Sequence, residues 1–521
     1  MNVRKKMAGR DIVGLLLLAV SAALLGRSLA LCFARDIWYD ELFTVGMIEH
    51  SYGDLIAFTA RDVHPPLYYC IVRFVVELCK PIAKQADPII IAKLVSVIPY
   101  FGLFAYSVTF IRKRFGLFTG GLFFFCVIAM PQLSAYTVEV RMYGWALFFV
   151  TAAFLHAYGT GDMSAEIKMG RLHGAALVVY GLAAAYTQYF ACVAVVMVYL
   201  YVLLVFMRRD RGRIREWFLW VGISIAGYLP WLLALYRQIT TVRENYWILP
   251  LTWRSLGGCV KFLMKPAFAD ERLNTVLAVL LFTVYIAIWG YQAVKLYHSG
   301  RESERFWFVT AGIGVLAGLV LFGFAASFLL RPIFVYRYMI PALGCFWLSF
   351  ALGVDYILCK PKIGIVVTIL AVVIGLRDYR AFMGEEEYKA VNMKETQKAL
   401  SLIGPEDAVL YNFDQVQAVT GYYLPERAER FLWRAEGETL IQEITSPCGS
   451  LQDAGEISRL LSGTQEKEGK TIWFIGSFNS RDDIVDEWQS AGLNVEEKGS
   501  FLLERYWFNL YKISTSDHTT F

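Results

Sequence analysis

Residues 12–33 read IVGLLLLAVSAALLGRSLALCF, an apolar run long enough to cross ~30 Å of hydrocarbon as a helix of about 20 residues. A basic start with Arg4, Lys5, Lys6 and Arg10 precedes it, as in a secretory leader. The run is longer than the apolar core of a leader, and further runs follow it. Comparable stretches stand near 89–110, 117–134, 141–158, 173–187, 190–207, 217–236, 275–295, 306–328, 336–355 and 360–377, giving about eleven expected spans. With 57% hydrophobic and 16% aromatic residues among 521, and a mean hydropathy of +0.46, the chain holds more apolar surface than one soluble core can hide. The expected fold is a polytopic α-helical membrane protein.

The segment 67–79 is apolar too, but it is only about 13 residues long and contains Arg73 and Glu77, so it falls short of a bilayer. An interfacial helix suits it better. Charge placement tests that choice. If 67–79 does not cross, the basic clusters at 112–114, 208–215, 295–305 and 360–362 all fall on the cytoplasmic side, as positive charge in short loops prefers. If it crosses, most fall outside. The non-crossing reading puts the N-terminus inside the plasma membrane and leaves 34–88, 237–274 and 329–337 outside. The expected domains are a multi-span domain over 1–377, whose outer loop 34–88 carries interfacial helices, and an extracytoplasmic domain over 378–521.

The formal net charge of +5 is divided among those clusters and forms no continuous basic face, which argues against nucleic acid as a partner and for membrane lipids. Nine cysteines without a CxxC pair give neither a disulfide framework nor a zinc motif. After 376 the long apolar runs end and charge rises. Alternating, β-rich stretches at 408–413, 471–476 and 501–513 around a helical pattern at 481–490 predict a small soluble α/β domain. It carries no catalytic motif that we recognise, and Glu385, Glu386 and Glu387 read as a solvated helix face.

Charged side chains at a membrane face are costly unless pairing or function keeps them. The topology brings four such places to the outer interface: Trp38-Tyr39-Asp40-Glu41, Asp62-Val63-His64-Pro65-Pro66-Leu67-Tyr68-Tyr69, Glu139-Val140-Arg141-Met142-Tyr143, and Arg331 with Tyr336-Arg337-Tyr338. The aromatic residues alone would pass for the interfacial belt of any membrane protein. The carboxylates Asp40, Glu41, Asp62 and Glu139, the imidazole of His64 and the guanidiniums of Arg141 and Arg337 form a mixture suited to handling a phosphate and a proton. The segment 237–274, with Tyr246, Trp247, Trp253, Arg254, Lys261 and Lys265, is aromatic and basic; it reads either as a lid over that site or as an interfacial anchor.

A W-x-D-E after the first span, a D-x-H-P-P-L-Y-Y some twenty residues later, an E-x-R-M-Y at the start of a span and a late R-Y-x-x-P together resemble the bacterial branch of the GT-C glycosyltransferases. The pattern is similar to family 39, which includes protein O-mannosyltransferases and lipid A aminoarabinose transferases. The resemblance covers roughly residues 10–380 and leaves the C-terminal domain uncovered. It implies a polyprenyl-phosphate sugar as donor, in keeping with the lack of a nucleotide-binding glycine loop between strand and helix. It also implies a hydroxyl-bearing acceptor and a hexosyl- or pentosyltransferase acting with inversion.

Under that resemblance Arg141 and Arg337 are the candidates to bind the donor phosphate, since guanidinium matches phosphate oxygens in pairs and keeps its charge. Asp40 is the first choice for the base that activates the acceptor, with Glu41 the alternative. Asp62, His64, Glu139 and Tyr143 are candidates to position substrate, and Glu41, His64 and Glu139 are the candidate ligands should a divalent metal cation take part. The aminoarabinose branch presents a lysine where His64 stands. A transporter or flippase of lipid-linked saccharides, or a glycan ligase, is the competing class; a transporter would gather its ionisable residues near the bilayer midplane in repeated halves, and no such repeat is visible.

Overall fold

The computed structural model describes every residue except 1, 35, 82–86, 162–166, 242–247, 300–302, 359–360, 436, 438, 446–447, 466–469, 505 and 516–521. Two compact units result, one of Met1–Phe33 and Leu55–Met383, the other of Ala34–Asp54 and Gly384–Phe521.

Helix α1 (Asn2–Leu31) is followed by α2 (Tyr39–Met47), which belongs to the second unit, and then by α3 (Tyr52–Arg61) and α4 (Leu67–Cys79). Next come α5 (Pro88–Tyr106), a π turn at Ser107–Ile111, the short α6 (Arg112–Phe115), α7 (Leu117–Ala129), α8 (Tyr143–Thr160) and α9 (Ile167–Ala185). The membrane part closes with α10 (Tyr189–Arg209), α11 (Ile214–Thr241), α12 (Arg254–Met264), α13 (Glu271–Ser299), α14 (Glu304–Leu329), α15 (Ile340–Ile357) and α16 (Pro361–Leu400). Every apolar stretch expected to span thus falls on a helix.

Among the described residues seven helical runs, within 9–31, 88–115, 189–209, 211–240, 271–298, 304–329 and 336–357, are long and apolar enough to cross a membrane, and the chain is an integral membrane protein. Of the other expected spans, α7 is apolar but only 13 residues long, and α9 carries Lys168, Arg171 and His173. Helix α4, with 13 residues, buries Tyr68, Tyr69, Val72 and Val76 while Phe74 and Leu78 are exposed, the division of faces that an interfacial helix needs. Its Arg73 and Glu77 form an i,i+4 ion pair at 2.7 Å.

Local chemistry sets the helix ends. Asp87 caps α5 by accepting from the Ile89 amide at 2.9 Å, and Pro88 follows at the first helical position, where its missing N–H costs nothing. Gly116, at φ 97°, breaks the chain between α6 and α7, a turn that a side chain would resist. Between spans, small residues permit close approach: a Cβ on Gly14 of α1 would lie 2.6 Å from the Leu117 carbonyl carbon of α7. Helices α7 and α15 form the centre, with α15 buried from Ile340 to Val354. One polar cluster lies within the bundle: His156 and His173 meet Nδ1 to Nδ1 at 2.8 Å, and Tyr106 reaches His156 Nε2 at 2.9 Å.

The second unit holds a six-stranded sheet in the order β3-β2-β1-β4-β6-β5. The strands are β1 (Ala408–Tyr411), β2 (Glu429–Trp433), β3 (Gly449–Leu451), β4 (Ile472–Ser477), β5 (Leu493–Leu503) and β6 (Tyr506–Thr515). The first four are parallel neighbours, and β6 and β5 add antiparallel. Helices α17 (Asp414–Gly421), α18 (Leu440–Thr445), α19 (Ala454–Gln465) and α20 (Ser480–Ser490) connect them. Central β1 and β4 are buried at every position, as parallel strands covered on both faces are, which explains their unbroken apolar runs. Trp488 of α20 packs edge-on to Trp433 and Phe474, with centroids at 5.0 and 4.8 Å. The β-rich stretch 501–513 holds the end of β5 and most of β6, and Glu504 between them takes φ 60°.

The segment Ala34–Asp54 enters this unit although the sequence reading assigned it to the outer loop of the membrane domain. Its α2 lies against α18: a Cβ on Gly46 would fall 2.6 Å from Ile444 Cγ2, and His50 Nε2 stands 2.9 Å from the Ile444 carbonyl oxygen. The Ile37 amide donates to the Tyr423 hydroxyl at 3.1 Å.

Candidate active site

In the first unit the site is built from three connections at one end of the bundle. The first is the turn between α3 and α4. Asp62 closes α3 by donating its amide to the Phe58 carbonyl at 3.0 Å, and the Leu67 amide after the two prolines donates to the Tyr186 carbonyl at 3.0 Å, tying this turn to the end of α9. Neither proline has an N–H to give, so the intervening residues project side chains instead of closing another helical turn. His64 is buried, and its Nδ1 stands 3.2 Å from Asp62 Oδ2. Burial works to raise the Asp62 carboxyl, but the His64 hydrogen bond and charge, the Val63 amide and Arg141 outweigh it and hold the group below its ordinary value.

The second connection, between α7 and α8, carries Glu139, Arg141 and Tyr143. A 3-10 turn at Ala135–Thr137 and a 2.7 Å bond from the Arg141 amide to the Glu139 carbonyl fold it tightly, and the Arg141 side chain is buried. Tyr136 and Tyr143 meet edge to face, centroids 5.2 Å apart. Burial, reinforced by the Glu139 and Tyr143 charges and opposed by Arg337, pushes the Tyr136 hydroxyl well above its ordinary value, so it stays protonated. The third connection supplies Arg337 from the 3-10 turn Tyr336–Met339 before α15, its guanidinium 6.0 Å from the Tyr143 ring centroid. Asp62, His64 and Arg141 thus form one group, and Glu139, Tyr143 and Arg337 another around Tyr136.

A cavity of about 870 Å³ opens beside His64. Its polar lining residues include His64, Gln188, Tyr189, Gln238 and Arg331; the apolar ones include Phe190, Val193, Val196, Phe322, Leu329 and Leu330. Tyr338, next to Arg337, lines it and stacks on Phe190 at 4.8 Å. A hydrogen-bonded chain braces two of the polar residues: Trp231 Nε1 donates to the Tyr189 hydroxyl at 3.0 Å, Tyr189 donates to Gln238 Oε1, and Gln238 Nε2 donates to the Thr59 carbonyl at 2.8 Å. Sequence reading missed this chain. The available signal was a pair of glutamines, 188 and 238, at the ends of otherwise apolar helices.

Of the basic, aromatic segment 237–274, Tyr246 and Trp247 lie outside the described residues. Helix α12 within it sets Phe262 against Tyr336, centroids 6.4 Å apart, beside Arg337 in the chain. Trp253 is 81% exposed, as an interfacial anchor is, and Lys265 pairs with Glu271 at 2.9 Å.

Asp40 and Glu41 belong to the second unit, in the first turn of α2. Glu41 is buried, and its Oε2 accepts from the Trp38 amide at 3.1 Å, the backward half of a capping box. The Tyr39 amide donates to Glu504 Oε1 at 2.5 Å. Burial, with Asp40 and Glu41 adding to it and the Tyr39 amide and Lys389 opposing, pushes the Glu504 carboxyl up to about 7. Lys389, which pairs with Glu386 at 2.5 Å, feels Asp36 and Glu41 as well. Nothing in the local sequence links residue 504 to residue 39. Among the described residues no three His, Cys, Asp or Glu side chains gather so as to hold a metal ion; Asp62 and His64 stand as a hydrogen-bonded pair.

A scan against family models and a search of curated proteins each found no match. Among solved structures, ArnT from Cupriavidus metallidurans in the apo state matches with a TM-score of 0.62 at 11% identity, over 96% of this chain and 97% of that one. The same protein bound to undecaprenyl phosphate matches with a TM-score of 0.57 at 12% identity, over 96% and 98%. At such identities the likeness is one of fold alone, shared with these two ArnT structures: a polytopic helical membrane domain followed by a C-terminal domain built on a sheet.

Proposed function

We propose that this protein is a membrane glycosyltransferase that moves a hexose or pentose from a polyprenyl-phosphate sugar to a hydroxyl on a protein, lipid or cell-envelope glycan, at the outer face of the cytoplasmic membrane. The observation that carries this reading is the largely apolar cavity beside His64, whose partner Asp62 feels the buried Arg141. The apolar lining suits an isoprenoid chain, and the polar residues suit an anionic head. The undecaprenyl phosphate held by one of the similar structures favours the same lipid class.

In the proposed reaction the acceptor oxygen attacks the anomeric carbon while the bond from that carbon to the phosphate oxygen breaks. The electron pair leaves with the lipid phosphate, whose growing charge Arg141 and Arg337 offset. The acceptor proton passes to Asp40, and direct displacement inverts the anomeric centre. Glu41 keeps the start of α2 in place through its bond to Trp38. Asp62 orients His64, and Glu139 and Tyr143 hold Arg337 and the substrate hydroxyls in register.

Binding of polyprenyl phosphate to the purified full-length protein tests the cavity assignment. Val196 belongs to the apolar lining and is 49% exposed, so Val196→Trp fills the cavity without disturbing the core. Wild type is expected to bind, with Val196→Trp at least about tenfold weaker, a difference of about 1.4 kcal/mol. Equal binding by both would contradict the assignment.

A further inference from the structure

Helices α10 and α14 enclose a second, smaller space at the end of α10 remote from Tyr189, a cleft of about 270 Å³. On α10, Met197, Leu200, Tyr201, Leu204 and Arg208 line it, recurring at three and four residues along one helical face. On α14, Ala311 and Gly314 hollow the opposite wall. A Cβ built on Gly314 would meet nothing within 4 Å, so the space is open. Apolar surface is ordinary on a spanning helix; this cleft differs in what stands at its mouth.

There, Arg209 forms an ion pair with Glu304. Arg208, one position earlier and exposed, lies over the Trp307 ring with its Cζ 3.9 Å from the centroid. A guanidinium held over an indole by cation–π attraction keeps N–H donors to offer an acceptor such as phosphate. Arg211 and Arg215 follow in the chain and add positive charge at the same helix end. An apolar slot for a chain, closed by a ring-backed cation in a basic surround, matches a lipid with an anionic head better than a neutral one.

We propose that the cleft between α10 and α14 is a binding site for an anionic phospholipid, with one acyl chain along Leu200, Leu204 and Gly314 and the phosphate held by Arg208. The site opens at the end of α10 opposite the His64 cavity, so this lipid is a bound cofactor of the fold and no reactant. The proposal stands independently of the transferase reading.

Photolabelling of the full-length protein in nanodiscs, with a phosphatidylglycerol that carries a photoactivatable acyl chain, tests it. Peptides within 197–209 or 304–314 should be labelled. Unlabelled phosphatidylglycerol should displace the probe at about fivefold lower concentration than phosphatidylcholine, the preference that one interfacial arginine confers. Arg208→Ala should bring the two lipids to parity. Gly314→Phe, which fills open space, should abolish labelling there while leaving the thermal unfolding midpoint within that of wild type. Equal displacement by both lipids in wild type, or labelling undiminished in Gly314→Phe, would overturn the proposal. Displacement by undecaprenyl phosphate at lower concentration than by phosphatidylglycerol would make the cleft a polyprenyl site and overturn it too.

Discussion

Asp62 in the first unit and Glu504 in the second are both carboxylates drawn out of water, yet burial loses at one and wins at the other. At Asp62 the His64 hydrogen bond and charge, the Val63 amide and Arg141 prevail over desolvation, and the group stays an anion. At Glu504 desolvation is joined by Asp40 and Glu41, and the carboxyl rises to about 7 despite the Tyr39 amide and Lys389. Company, more than depth, decides the sign. The cation-rich region of the membrane unit is therefore suited to holding an anionic head, while the acid-rich region around α2 is suited to accepting and keeping protons.

The sharpest way to break this division of labour is to remove the proposed base. Asp40→Asn is expected to lower donor turnover by about 10²–10⁴-fold while donor binding, measured separately, stays at the wild-type level; loss of binding instead would move Asp40 to the phosphate side. Arg141→Ala should cost about 10²–10³-fold in turnover, as loss of one transition-state charge partner does elsewhere. It should weaken polyprenyl-phosphate binding as well, which separates it from Asp40→Asn in the same pair of assays.

Smaller effects sharpen the contrast within α2. Glu41→Gln keeps an oxygen acceptor for the Trp38 amide, so turnover should stay within a few-fold of wild type. Glu41→Ala loses the bond and should cost about 0.5–2 kcal/mol of stability, read from chemical unfolding. A collapse of turnover in Glu41→Gln with normal stability would make Glu41 the base. The smallest effect is on pH dependence. Folded protein holds the Glu504 proton more tightly than the unfolded chain does, so the stability this group contributes is full below pH 4.5 and is lost as pH rises through about 7. Thermal unfolding of wild type and Glu504→Gln should therefore diverge across that window, with the variant the flatter of the two.

How far the sequence alone could be read follows from the same physics. Each apolar run had to be a helix, because lipid leaves backbone groups no partner outside their own segment, and the eleven runs expected from 12–33 to 360–377 each fall on one. Helix α4 was legible as interfacial from Arg73 and Glu77 in too short a run. Strands β1 and β4 announced themselves as continuous apolar blocks. Strands β2 and β3 did not, since β2 is only partly buried and β3 has three residues, two of them exposed. The motif residues were found because charge at a membrane face is costly. Their supports were not: Gln238 reaches Thr59 and Glu504 reaches Tyr39 across 179 and 465 positions, and no local period encodes such contacts. For the same reason the attachment of 34–54 to the second unit was hidden, resting as it does on Gly46 against Ile444.

The central claim is transfer from a lipid phosphate, and release of free polyprenyl phosphate tests it most directly. The full-length protein would be incubated with a panel of polyprenyl-phosphate monosaccharides and membrane extract as acceptor source, with Asp40→Asn in parallel. Release from one donor by wild type, lost in Asp40→Asn, is the predicted result. Donor binding without release from any member of the panel would contradict the account and point to a carrier of lipid-linked saccharides.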